Sequence, residues 1–383
     1  MSTPKELFKA LDNNTDKTLG ERLSTGEAGI GTIEDNLKDL KDILEDYIQK
    51  SRASDIEIKE CLKQLENFCD AKVNIMLVGA TGCGKSSTIN ALFAVKEDED
   101  TSDDEEEFKQ KTSKKIVAEV AKVGSKADPE TKDIEKYIIG NLVLWDTPGF
   151  GDGDAIDEHH KQVITDLLRE KDEDGNSLID LVLVILDGST KDLGTSFKIL
   201  NDVIIPELKG ETNRILVALN QADIAMKTGR HWNYFKNEPD EILHKYLEEK
   251  IESIKNRINK DTNLSVEPIY YCAGYQEEGG DVVRPYNLSK LLFYIMDSLP
   301  PVKRVPVMEG INTDSENYKC NDDEKNYNEE IKDSFYESFD YISQGIDDGA
   351  EIGKALLGIP GEIIGALVGG VVGCIKSILN DIF

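Results

Sequence analysis

Residues 79–86 read GATGCGKS, a G-x-x-x-x-G-K-S pattern that follows the apolar run VNIMLV and opens a helical stretch. Glycines at this spacing let successive backbone N–H groups wrap a phosphate, and the start of the following helix adds its positive end. Gly79, Ala80, Thr81, Gly82, Cys83, Gly84, Lys85, Ser86 and Ser87 therefore read as a phosphate cradle. Lys85 is placed to neutralise β- and γ-phosphate charge, and Ser86 to offer its hydroxyl to Mg²⁺. Cys83 could be given a redox role because thiols at helix starts can ionise easily, but it reads as a simple filler of the loop.

A cradle does not tell ATP from GTP; later stretches do. In WDTPGFGDG, Asp146 ends a buried run, where a carboxylate can hold Mg²⁺, and the Gly149 N–H can meet a γ-phosphate. In NQAD, Asn220, Gln221 and Asp223 end another run. Asp223 can accept from guanine N1–H and its exocyclic amine, whereas adenine would leave a buried carboxylate unpaired. In YYCAG, Cys272 and Ala273 follow the last run, with the Ala273 N–H set to meet guanine O6.

The elements that must hold these residues alternate strand-like runs with amphipathic helices. VNIMLVG, NLVLWD, DLVLVILD, RILVALN and VEPIYYC are nearly continuous in apolar residues, as parallel strands covered on both faces require. Helices between them predict a doubly wound α/β sheet, with ligands outside the C-terminal strand ends. Residues 73–300 form this expected domain, with an acidic, solvated insertion at 97–111. Residues 1–30 are polar and read as poorly ordered. Residues 31–72 carry helical spacing (Leu37, Leu40, Ile43, Leu44, Tyr47; then Ile58, Leu62, Leu65), and read as a helical extension. A proline-containing stretch near residue 300 then marks a boundary before an acidic and finally glycine-rich helical region, 301–383.

With 383 residues, 39% of them hydrophobic, the chain can bury one large core and a smaller module. A net charge of −30 repels phosphate backbones and argues against a nucleic-acid partner. The N-terminus lacks a signal-peptide core, and six scattered cysteines without a C-x-x-C pair read as reduced thiols, so a cytoplasmic setting is expected. The neighbouring His159 and His160 read as a solvated helix face rather than metal ligands.

In the tail, Gly345, Gly349 and Gly353, then Gly361, Gly365, Gly369 and Gly373, recur every fourth residue. On a helix this makes a groove for close approach by another helix. Pro360 and Glu362 interrupt the apolar window, which argues against a stable membrane span. Helical packing or self-association comes first, with peripheral membrane contact through 345–383 as the second reading. GIPG as the loop of an RNA-binding KH module is rejected, because the surroundings are acidic.

The ordered stretches resemble a translation-factor-class P-loop GTPase domain of the Era and TrmE type, closest to prophage-encoded Era-like GTPases. The cradle is also similar to that of immunity-related GTPases. The resemblance spans about 73–299 and implies GTP/GDP and Mg²⁺ as ligands. It implies that Thr131, in DPETKDI, completes the Mg²⁺ and γ-phosphate shell, with Thr112 as a rival. Lys85, Thr131 and Gly149 then form the catalytic set, and Ser86, Thr131 and Asp146 the metal set. The chain departs from the family at Gln221, where the pattern has lysine, and at Gly82, where a K⁺-binding asparagine can stand. It departs again at Phe150, where Ras-like enzymes carry a water-orienting glutamine. Slow turnover is expected, with the missing group supplied by switch loops, a second protomer or an activator.

Overall fold

The computed structural model describes residues 70–93, 134–151, 154–172, 174–209, 211–226, 231–276, 282–338 and 379–383. The chain divides into two compact units, 72–334 with Phe383 and 1–71 with 335–382. Nearly all described residues belong to the first.

Within it, β1 (Val73–Gly79), β2 (Glu135–Ile139), β3 (Leu142–Asp146), β4 (Leu181–Asp187), β5 (Ile215–Asn220) and a short strand Ile269–Tyr270 form a sheet in the order β2-β3-β1-β4-β5 and then that short strand. Every residue of β1 and β5 is buried, as is all of β4 except Asp187 at its end. Two-sided burial explains the uninterrupted Val, Ile and Leu of these runs. All pairs are parallel except β2 with β3. β2 (EKYII) is the strand that apolar runs do not reveal, because an edge strand tolerates exposed Lys136 and Ile138 around buried Tyr137.

α1 (Lys85–Leu92) follows β1 directly, and α2 (Asp154–Arg169) follows β3. α3 (Gly194–Ile199) continues through a π-turn over Leu200–Ile204. α4 (Glu241–Thr262) starts cleanly because Asp240 caps it, its carboxylate accepting from the Ile242 and Leu243 N–H groups at 3.0 and 2.9 Å. Its buried stripe, Leu243, Leu247, Ile254 and Ile258, keeps helical spacing against the sheet. α5 (Leu288–Asp297) is buried over most of its length.

The unit runs past the proline stretch near residue 300. Lys290 of α5, 4% exposed, meets Asp322 and Glu324 at 2.7 Å each. Asn287 exchanges two further bonds with Asp322. Losing one member would leave a buried charge uncompensated, so residues 320–324 are fastened to α5. No helix among the described residues is long and apolar enough to cross a membrane.

Candidate functional site

The cradle forms where β1 ends. Gly84 takes a left-handed conformation, φ 92°, and a Cβ there would run into the Asn220 amide, so only glycine fits. Lys85 is buried, its Nζ 3.4 Å from the Gly79 and Ala80 carbonyls and so held across the loop. Thr88, one turn into α1, bonds the Gly84 carbonyl at 2.7 Å and the Tyr271 hydroxyl at 2.6 Å. Cys83 is fully buried and burial pushes its thiol pKa up, which fits a filler.

Asp146 closes β3, whose neighbour β1 leads into the cradle. Its Oδ2 accepts from Ser86 Oγ at 2.7 Å. Its Oδ1 is buried without a hydrogen-bond partner, although Asp146 is only 1% exposed. Burial raises its pKa most; Lys85 and the Ser86 bond oppose this, and Glu135 adds to it. A hydroxyl and a carboxylate with an orphaned, desolvated oxygen form the hard oxygen set that Mg²⁺ takes, so these residues fit the ion. No group of three or more His, Cys, Asp or Glu among the described residues makes a separate metal cluster.

Gly149 lies against the cradle: a Cβ on it would come within 2.6 Å of the Thr81 backbone N. The next carbonyl, of Phe150, accepts from Thr81 N–H at 3.0 Å. The Phe150 ring is buried in the core. The solvated reading of the histidine pair holds for exposed His159 but not for His160. His160 is 5% exposed, bonds the Gly149 carbonyl through Nδ1 at 2.8 Å, and sets its ring edge-on to Phe150 with centroids 5.9 Å apart. The α2 helix thus reaches back to the Asp-Thr-Pro-Gly turn, a link the HH dipeptide does not reveal because its two members face opposite environments.

On the base side, Asn220 is a clamp. Its Nδ2 donates to Cys83 O at 3.0 Å and its Oδ1 accepts from Ala273 N–H at 2.9 Å. The Ala273 N–H, expected to meet guanine O6, is therefore engaged by Asn220. Gln221, left-handed at φ 61°, donates from Nε2 to Gly82 O at 2.8 Å, so the residue replacing lysine still ties this turn to the cradle. Asp223 is 3% exposed and accepts from Cys272 Sγ at 3.1 Å. Burial raises the Asp223 pKa, the Cys272 bond opposing it; burial pushes the Cys272 thiol well above its usual value. Sequence spacing pointed to these residues but not to the Cys272–Asp223 bond, which needs strands distant in sequence to be adjacent.

The structure thus gathers residues 79–87, Asp146, Gly149, Asn220, Gln221, Asp223, Cys272 and Ala273 at the C-terminal ends of neighbouring strands. Thr131, its rival Thr112, the 97–111 insertion, the 1–30 segment, residues 31–69 and the 345–378 part of the tail lie outside the described residues.

Strand order, cradle and carboxylate define a P-loop G domain, with helices against a mostly parallel sheet. The Septin family model matches residues 69–174. No curated protein matches the chain. Among solved structures, Toc33 from Arabidopsis thaliana in complex with GDP and Mg²⁺ is 15% identical, over 63% of this chain and 87% of its own, at TM-score 0.34. The G domain of the T. maritima FeoB iron transporter is 14% identical, over 59% and 98%, at 0.28. The LeoA bacterial dynamin GTPase from ETEC is 14% identical, over 82% of this chain but 47% of its own, at 0.34.

Proposed function

We propose that this chain is a Mg²⁺-dependent GTP-binding and GTP-hydrolysing switch of the Era-like kind, with slow intrinsic turnover. Its nucleotide state would be coupled to self-association or to a protein partner, in the cytoplasm. The observation that carries the reading is the buried Asp223 carboxylate, three residues beyond Asn220, whose side chain joins the phosphate cradle at Cys83 to Ala273. A buried carboxylate of this kind favours a base that offers paired donors, as guanine does, and opposes one that does not.

In this reading the cradle amides and Lys85 bind the β- and γ-phosphates, and Ser86 and Asp146 hold the cation. When bound, Mg²⁺ would supply positive charge that offsets the negative charge developing during phosphoryl transfer. Gly149 would offer its N–H to the γ-phosphate, and Thr131 is assigned by resemblance to the same shell. Phe150 keeps its side chain in the core, so water must be oriented by another group: one near Thr131, one from a second protomer, or one from an activator. Loss of the γ-phosphate would free Gly149 and, through His160, alter the position of α2.

The test is phosphate release in single-turnover reactions at increasing protein concentration. A slow rate that rises with concentration supports a switch completed by self-association. A slow rate that stays flat points to a separate activator. No release at any concentration overturns hydrolysis and leaves a nucleotide-dependent binding module.

A further inference from the structure

β2 and β3 run antiparallel with Glu135 directly opposite Asp146. Opposed residues of an antiparallel pair project from the same face of the sheet, with Cβ atoms about 4.5–5.5 Å apart. The carboxylate bonded to Ser86 therefore has a second carboxylate as its cross-strand neighbour. Like charges placed this way destabilise a strand pair.

Glu135 is also held in place. Tyr137, two residues along on the same face and 4% exposed, donates its hydroxyl to Glu135 Oε2 at 2.5 Å. Beside this fixed carboxylate, Asp146 Oδ1 is buried without a hydrogen-bond partner. Opposed carboxylates, one of them desolvated and short of a donor, are costly unless a cation compensates them. The Lys85 ammonium offsets part of that charge, but it is directed to the Gly79 and Ala80 carbonyls.

We propose that Glu135 is a further positioning residue of the divalent-cation site, oriented by Tyr137 and acting through the ion's water shell. This rests on reading Ser86 and Asp146 as the cation holders. Mg²⁺ keeps several of its waters in protein sites, which gives a nearby carboxylate something to hold. Partners of this outer kind are worth about 10–100-fold in metal affinity.

The experiment measures the affinity of the full chain for a fluorescent GDP analogue across free Mg²⁺ concentrations, with Mn²⁺ paramagnetic resonance as a direct reading of the ion. Glu135→Gln should raise the half-saturating Mg²⁺ about tenfold or more, and broaden or weaken the bound Mn²⁺ signal. In chelator, the same variant should bind the nucleotide at least as well as the parent, because a negative charge near the phosphates is gone; a merely structural lesion would weaken both. Asp146→Asn is the control and should abolish the Mg²⁺ dependence. If Asp146→Asn does so while Glu135→Gln matches the parent, the Glu135 proposal is overturned and the cation site stands. If neither changes the Mg²⁺ dependence, the cation-site reading itself fails. Should Glu135→Gln not fold, Tyr137→Phe, which removes only the orienting hydroxyl, carries the test: a smaller shift the same way supports the proposal, and no shift overturns it.

Discussion

Replacing Asn220 by alanine is expected to loosen the nucleotide site and the fold together. The Asn220 side chain is buried, and its two bonds, at 3.0 and 2.9 Å, join the cradle at Cys83 to the base loop at Ala273. Truncation leaves a buried carbonyl and a buried N–H without this partner, at about 1–3 kcal/mol each, or about 2–6 kcal/mol together. Against the roughly 5–15 kcal/mol of a typical domain, that is a large share. Asn220→Asp separates donor from acceptor: it keeps an oxygen for Ala273 but turns a second oxygen toward Cys83 O, and it buries a charge. It should therefore cost no less than alanine. Both tryptophans of the chain, Trp145 and Trp232, lie in the 72–334 unit, so their fluorescence follows its unfolding in urea. The midpoint should fall with little change in slope. A loss below about 1 kcal/mol for Asn220→Ala, or an aspartate variant more stable than the alanine one, would refute the clamp.

Further expectations follow from the same geometry. Gly149→Ala should cost about 1–3 kcal/mol by overpacking the Thr81 backbone, read as a lower melting temperature; an unchanged melt would show that the turn has room. His160→Ala should leave the Gly149 carbonyl short of a donor, at about 1–3 kcal/mol, and lower affinity for GTP more than for GDP in paired titrations. Because burial raises the Asp223 pKa, guanine affinity should fall on acidification at a higher pH than an unperturbed aspartate would give, as the carboxylate takes up the proton it must lack to accept from the base. Asp223→Asn should flatten that profile. Cys83 and Cys272, both buried with raised thiol pKa values, should resist alkylation in the folded chain and react once it unfolds, as peptide mapping by mass spectrometry would show.

Much of the site was legible because its chemistry is local. The cradle needs glycines, lysine and serine within eight positions, Asp146 ends an apolar run and Asp223 follows another by three residues, so spacing alone places them at or just beyond strand ends. β2 was not legible, because an edge strand such as EKYII carries no apolar run. His160 was hidden for a related reason: burial on α2 depends on what the helix packs against, and a two-residue repeat of one type does not encode it. The bonds from Gln221 to Gly82, Asn220 to Ala273 and Cys272 to Asp223 depend on strand order, and that order appears only when β1, β4, β5 and the final strand are side by side.

The most direct test of the central claim is competition for the nucleotide site among GDP, ADP and a xanthine diphosphate, with the parent chain and with Asp223→Asn. The parent should prefer GDP to ADP by about a thousandfold or more. The asparagine variant, able to donate where the carboxylate only accepts, should lose GDP and gain the xanthine nucleotide. ADP binding as tightly as GDP, or an unchanged preference in the variant, would contradict the assignment of this chain as a guanine-nucleotide switch.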